Sequence, residues 1–161
     1  MPFTTSEPIP RKEKISVSYL IKKLRERVQL NLTACTSGDC AEYKFVKEVD
    51  LHRPGMALAG YNDLFTFQRI QIIGNTETQF LNNQSLDKQI AAFKNIIDFE
   101  LPVIFLTDGN ILSDELIEMA EKASIPVYTT PVETTRFMFL LRDFLEDQFA
   151  TQTMVHGAMV E

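Results

Sequence analysis

Three short apolar runs, RIQIIG (residues 69–74), PVIFLT (102–107) and PVYTT (126–130), are each followed by a segment whose apolar side chains recur every three or four positions. Short, mostly apolar runs fit strands buried on both faces, and strands alternating with helices build a parallel layer with crossover connections. More than twenty residues of helical periodicity separate the first two runs. A gap of that length calls for a crossover and excludes a hairpin. The expected fold is therefore α/β, a three-layer domain around a mainly parallel sheet with at least three parallel strands.

The rest of the chain is assigned around that frame. Residues 1–15 hold Pro2, Pro8 and Pro10 among polar side chains and are expected to form a disordered lead-in. Ser16 has the chemistry of an N-cap, and Val17, Leu20, Ile21, Leu24 and Val28 lie on one helical face behind it. Two short strands are expected at 30–34 and 44–49, with a turn at Gly38-Asp39 between them. Thr76 to Gln79 (TETQ) matches a capping box, so a short helix is expected to start there. A longer helix over 86–99 places Ile90, Phe93 and Ile97 on one face. Ser113 is expected to cap the next helix, and residues 134–149 carry Phe137, Leu140, Leu141, Phe144 and Leu145 as the inward stripe of the last. Residues 151–161 open a new strand-like segment without a turn or cap, which reads as a linker and first strand of a further domain.

Composition excludes several classes of function. With 45% hydrophobic and 24% charged residues the chain is not intrinsically disordered. No apolar run approaches the ~20 residues of a membrane span. The first thirty residues lack the apolar core of a secretory signal, and two cysteines, Cys35 and Cys40, suit a reducing compartment, so a cytoplasmic location is expected. Residues 1–30 carry seven basic and three acidic side chains, whereas the remaining 131 carry nine and nineteen. A net-negative body repels phosphate backbones and argues against nucleic acid as a partner.

Chemistry-bearing motifs are sparse. Neither G-x-x-x-x-G-K-[ST] nor G-x-G-x-x-G occurs, so no nucleotide fingerprint is present. Cys35, Cys40 and His52 fall short of a zinc set, and no metal site is expected. Neither His52 nor His156 sits in a nucleophile motif. In open parallel sheets, ligands lie beyond the carboxyl ends of the strands. Those ends supply Asn75 and Thr76, Asp108 and Gly109, and Thr129 and Thr130, either as plain turn and capping residues or, with their helix N-termini, as a site for a small polar or anionic ligand. Arg53, ahead of Pro54-Gly55, is either fixed by a rigid turn or an ordinary surface arginine.

Residues 50–65 (DLHRPGMALAGYNDLF), followed at once by 69–77 (RIQIIGNTE), resemble the amino-terminal domain of the bacterial HPr kinase/phosphorylase family. Thr134-Thr135-Arg136 and the VHG of residues 155–157 extend the likeness over residues 16–161, in the family's order and spacing. His52 stands where the family usually has asparagine. The resemblance implies an amino-terminal domain over 16–150, similar in fold to the first domain of Mur ligases, with 151–161 leading into a kinase domain. It implies a parent enzyme that phosphorylates a serine of the phosphocarrier HPr with ATP or pyrophosphate, and removes that phosphate by phosphorolysis. Such a parent uses magnesium, assembles as a hexamer of its own subunits and controls carbon catabolite repression through the phosphotransferase system. His156 is the one position matching a family active-site residue. The chain itself, lacking the P-loop, is expected to be non-catalytic and to hold no cofactor. The alternative is a stand-alone small-ligand sensor of the DRTGG type.

Overall fold

The computed structural model describes residues 13–150. The chain runs β1 (Ile15–Ser16), α1 (Val17–Glu26), β2 (Thr33–Ala34), a 3₁₀ turn (Gly38–Tyr43), β3 (Phe45–Val46), β4 (Leu51–His52), α2 (Gly55–Leu58), β5 (Ile70–Ile73), α3 (Asn75–Asn82), α4 (Leu86–Ile97), β6 (Ile104–Leu106), α5 (Asp114–Lys122), β7 (Val127–Thr129) and α6 (Thr134–Phe149). Strands β4, β5, β6 and β7 pair in parallel, and β2 joins β7 antiparallel, in the order β2-β7-β6-β5-β4. The three apolar runs thus become three adjacent parallel strands at the centre of the sheet.

Both faces of that sheet are covered, which is why its three central strands are mostly apolar. Ile70, Ile72, Val103, Phe105 and Tyr128 point into one core, closed by α1 and α6. Ile73, Ile104, Leu106 and Val127 point into the other, closed by α2, α3, α4 and α5. Phe105 carries the first core: its ring lies 5.0 Å from Phe137 and 6.1 Å from Tyr128. Each such fully buried side chain contributes about 1.5–3 kcal/mol.

The helix ends follow local chemistry, with three corrections. Ser16 caps α1 as expected, accepting the Tyr19 N–H at 3.1 Å. The helix nevertheless stops at Glu26, and Gln29 takes a left-handed φ of 58°, so Val28 packs against the core from outside the helix. The cap of α3 is Gly74, not Thr76. Glu77 is its third helical residue, and the Glu77 carboxylate reaches back to the Gly74 N–H at 2.8 Å. Ser113 occupies the N-cap position of α5, yet its hydroxyl is buried without a hydrogen-bond partner.

The segment before β5 departs most from expectation. The expected strand over 30–34 shrinks to β2, and that over 44–49 to β3, which pairs with β1 in a separate two-stranded sheet. A 3₁₀ turn replaces the simple turn between them. Continuing the register of β1 and β3 would set Lys14 against Lys47 and Glu13 against Glu48. Like charges directly opposite are destabilising, and the ladder ends there. Strand β4 and the one-turn helix α2 carry no periodic signal and emerge only in the structure. Residues 1–12 and 151–161, and with them His156 and most of the expected lead-in and linker, lie outside the described residues. Ile15, expected in the lead-in, is instead paired in β1 and buried.

Phe137→Ala is expected to lower stability by about 3–5 kcal/mol in urea denaturation, because it empties the contact with Phe105. Phe139→Ala, two residues along the same helix and 70% exposed, is expected to change stability by less than about 0.5 kcal/mol.

Candidate functional site

The connection after β6 is a tight turn, Thr107-Asp108-Gly109-Asn110, closed by the Asn110 N–H on the Thr107 carbonyl at 3.0 Å. Asp108 and Gly109 both take positive φ, 57° and 70°. Asp-Gly tolerates that pairing better than most dipeptides, as in type I′ turns. The backbone N–H groups of Asp108 and Gly109 then donate to the carbonyls of Val132 and Thr130, at 2.8 and 2.9 Å, tying this turn to the one after β7.

Held there, the Asp108 carboxylate accepts both the N–H and the hydroxyl of Thr134, at 3.2 and 2.7 Å. The Thr107 hydroxyl lies 2.7 Å from Thr134 Oγ1. Since the Thr134 proton goes to the carboxylate, Thr107 must donate to Thr134. Glu133 completes the start of α6 by accepting the N–H groups of Thr135 and Arg136 at 3.0 and 3.1 Å. Those two backbone hydrogen bonds, Thr135's first, hold the Glu133 carboxyl below its ordinary range. The N-terminus of α6 is thereby closed by the chain's own acids.

A second net meets the first at Gly74. Glu77 is almost wholly buried, with a side chain 4% exposed, and pairs with Arg53 through Nη2 at 2.7 Å and Nε at 3.2–3.3 Å. A Cβ on residue 74 would sit 2.7 Å from Thr134 Oγ1 and 2.9 Å from Arg53 Nη2. Glycine stands here for space, since its φ of −111° suits any residue. On α3 the N–H groups of Asn75 and Thr76 lie in the first turn, which follows Gly74 and the Arg53 side chain, itself one-third exposed.

Asn110 joins the three strand ends. Its amide donates to Asn75 Oδ1 at 2.9 Å and to the Thr107 carbonyl at 2.8 Å, and its own carbonyl accepts the Thr129 hydroxyl at 3.0 Å. Asn75, Asp108, Gly109, Thr129 and Thr130 therefore share one hydrogen-bonded edge. Thr130 is buried within it, and Thr76 is exposed with its side chain outside the net. Arg53, Glu77, Asn110 and Thr134 complete the arrangement; the sequence marks Arg53 by its turn and Thr134 only through the family likeness. The signal for Glu77 was its place three residues after Gly74.

Nothing at this edge makes a nucleophile with its base. No group of His, Cys, Asp or Glu among the described residues is placed to hold a metal ion. Burial raises the pKa of Cys35 and Cys40, which disfavours the thiolate at both. His52 packs on Phe65 at 5.5 Å, and burial, then the nearby Arg69 cation, lowers its pKa. No helix among the described residues is long and apolar enough to cross a membrane.

Residues 15–145 match the protein family described as "HPr Serine kinase N terminus". The chain is 43% identical over 151 residues to the HPr kinase/phosphorylase of Chloroherpeton thalassium, covering 94% of this chain and 44% of that protein. It is 42% identical to the HPr kinase/phosphorylase of Chlorobium limicola, covering 94% and 46%. The chain thus spans less than half the length of these curated relatives. Among solved structures it is similar to the CBS and DRTGG domains of the regulatory region of Clostridium perfringens pyrophosphatase, complexed with the activator diadenosine tetraphosphate. That likeness has a TM-score of 0.55 at 17% identity, covering 87% of this chain and 52% of that one, and it concerns the fold alone.

Gly74→Ala is expected to lower stability by about 1–3 kcal/mol, since Thr134 or Arg53 must give way; chemical denaturation measures it. The Glu133 cap gives a pH dependence of known sign. A carboxyl whose folded pKa is depressed stabilises the protein above the ordinary carboxylate range, and that contribution disappears as pH falls through the folded value. Thermal melts from neutral to acid pH should show a shallower acid limb in Glu133→Gln than in the parent protein.

Proposed function

The chain belongs to the family of the HPr serine kinase N terminus, and from that membership we propose that it is the regulatory or assembly domain of a bifunctional HPr kinase/phosphorylase. The observation that carries this reading is the match over 15–145, set against relatives more than twice as long. The longer protein would phosphorylate a serine of HPr with ATP or pyrophosphate and magnesium, reverse the reaction by phosphorolysis, and do so in the cytoplasm as a hexamer. Its amino-terminal domain would keep the fold likeness to the first domain of Mur ligases.

Residues 1–161 themselves would be non-catalytic. Phosphoryl transfer rests on positioning and on neutralising charge at the β- and γ-phosphates, through P-loop amides, a lysine and magnesium. The sequence holds no P-loop motif. His156 would act only within an assembled kinase site, as a proton-transfer or phosphate-contacting group. An imidazole with an ordinary pKa of about 6.5 suits either role.

A second reading, a sensor of a small polar or anionic ligand similar to DRTGG domains, is favoured by one observation. Arg53, paired with buried Glu77, has a partly exposed side chain whose Nη2 lies next to Gly74, the cap of α3. Asn75, Thr76, Asp108, Gly109, Thr129 and Thr130 would then surround the ligand.

One set of assays tests both. With HPr and ATP-magnesium, the 161-residue protein is expected neither to bind ATP nor to phosphorylate HPr, whereas a longer chain carrying the kinase domain does both. In that longer chain His156→Ala should lower turnover far more than ATP affinity. Phosphorylation by residues 1–161 alone would overturn the first reading. Amide shifts on adding inorganic phosphate, centred on Asn75 and Thr76, would support the second, and shifts confined to another face would count against it.

A further inference from the structure

Beside the edge strand β4, helix α2 and the loop after it line a cavity of about 430 Å³ that shares no residue with the strand-end edge. A space of that size holds a small organic molecule. Phe65, from the core beneath, forms part of its wall, and Met56, Tyr61 and Leu64 line it as well. Those three are exposed, Leu64 by 92%. Large apolar side chains gathered at the surface around one cavity mark a binding patch.

The loop's shape is fixed by its own hydrogen bonds. The N–H groups of Gly60 and Tyr61 donate to the carbonyls of Ala57 and Met56, each at 2.9 Å, and that of Phe65 donates to Asn62 at 3.2 Å. Helix α4 pins the loop through Asn95. The Asn95 amide donates to the Leu58 carbonyl at 3.2 Å, and the Asn62 amide donates to the Asn95 carbonyl at 3.4 Å. Exposed apolar side chains on a fixed backbone leave little ordering cost for a ligand to meet.

The polar groups of the lining select the sign of that ligand. Asp63 is exposed, and its side chain has no ion-pair or hydrogen-bond partner among the described residues. The lining includes no lysine or arginine among the described residues. Arg53, next to His52 in the chain, and Arg69, near it in space, are engaged by Glu77 and Glu48, each at 2.7 Å. Burial, then the Arg69 cation, disfavours the charged ring of His52. Tyr61 and Phe65 contribute aromatic rings, whose faces attract cations. In register with His52 on the neighbouring strand, Gln71 is wholly buried, and its Oε1 has no partner. Its amide nitrogen already donates to the carbonyls of Thr66 and Arg69, at 3.1 and 2.8 Å, so the uncommitted end is an acceptor. This corner of the domain is short of donors and holds an unbalanced carboxylate.

We propose that the cavity binds a small organic ammonium ion with an aromatic body. The body packs against Met56, Tyr61 and Phe65, and the ammonium group faces the Asp63 carboxylate. An anion would be repelled by that carboxylate, so the cavity selects a charge opposite to the one suited to the strand-end edge. The proposal rests on neither reading of the function given above.

Amide shifts of the 161-residue protein at about pH 7.5 test it, with phenethylammonium as the probe and phenylacetate and 2-phenylethanol as controls of similar body. Phenethylammonium should shift the amides of residues 56–65 and saturate with a Kd of about 1 mM or tighter. Both controls should bind at least about ten-fold more weakly. Asp63→Asn should bring the ammonium down to the level of the alcohol and leave the alcohol's shifts as they were, a split that lost packing would not produce. Tyr61→Ala should weaken the ammonium as well. Both positions are exposed, and unchanged thermal melts would confirm that each variant folds. Shifts that fail to saturate by about 20 mM would overturn the proposal. So would equal binding of the three probes, ammonium binding indifferent to Asp63→Asn, or shifts centred outside residues 56–65.

Discussion

Residue 74 has room for a hydrogen atom and nothing larger, and the carboxyl end of the sheet is organised around that fact. Because no side chain intervenes, Thr134 from α6 and Arg53 from the segment after β4 meet over the end of β5. One side of the junction fixes Glu77 and α3, and the other fixes Thr107, Asp108 and the start of α6. Helices from opposite faces of the sheet are thus fastened at one point. Burying the Glu77 carboxylate is costly, and its pairing with Arg53 and the Gly74 N–H offsets that cost without large net gain. The pair acts less as a source of stability than as a device that admits one arrangement of strand end and helix start.

This arrangement was only partly legible in the sequence, for physical reasons. Strands β5, β6 and β7 announce themselves because burial on both faces leaves few polar positions in them, Gln71 and Thr129 alone. The bounds of α6 were legible as well, its inward stripe ending in Phe149. Before β5 the signal fails. Strands β1, β2, β3 and β4 have two residues each, too few for alternation to show, and α2 has a single turn. The cap of α3 was misplaced by two residues, since a glycine cap offers no side chain to recognise, and the eye goes to Thr76. The six strand-end residues follow from topology alone. Their fastening does not, because Thr107 meets Thr134 across 27 positions and Arg53 meets Glu77 across 24.

The two ends of the sheet differ in what they offer. At the carboxyl end the polar groups are largely satisfied by one another, and charge is spent on capping α6 and seating Arg53. At the amino end, charge and aromatic surface are left open around Tyr43, Lys47 and Glu100. The carboxyl end thus holds a fixed shape, and the amino end presents surface; both features are compatible with the role proposed above.

The central physical claim is that the Gly74 junction joins both helical layers to the sheet as one cooperative unit. Native-state hydrogen exchange tests it most directly. The N–H groups of Gly74, Asp108 and Thr134 should exchange only through global unfolding, with the same opening free energy as the amides of β6. Exchange at those three positions through a separate, lower-energy opening, while β6 stays protected, would show that the junction merely rests on the fold and would contradict the account.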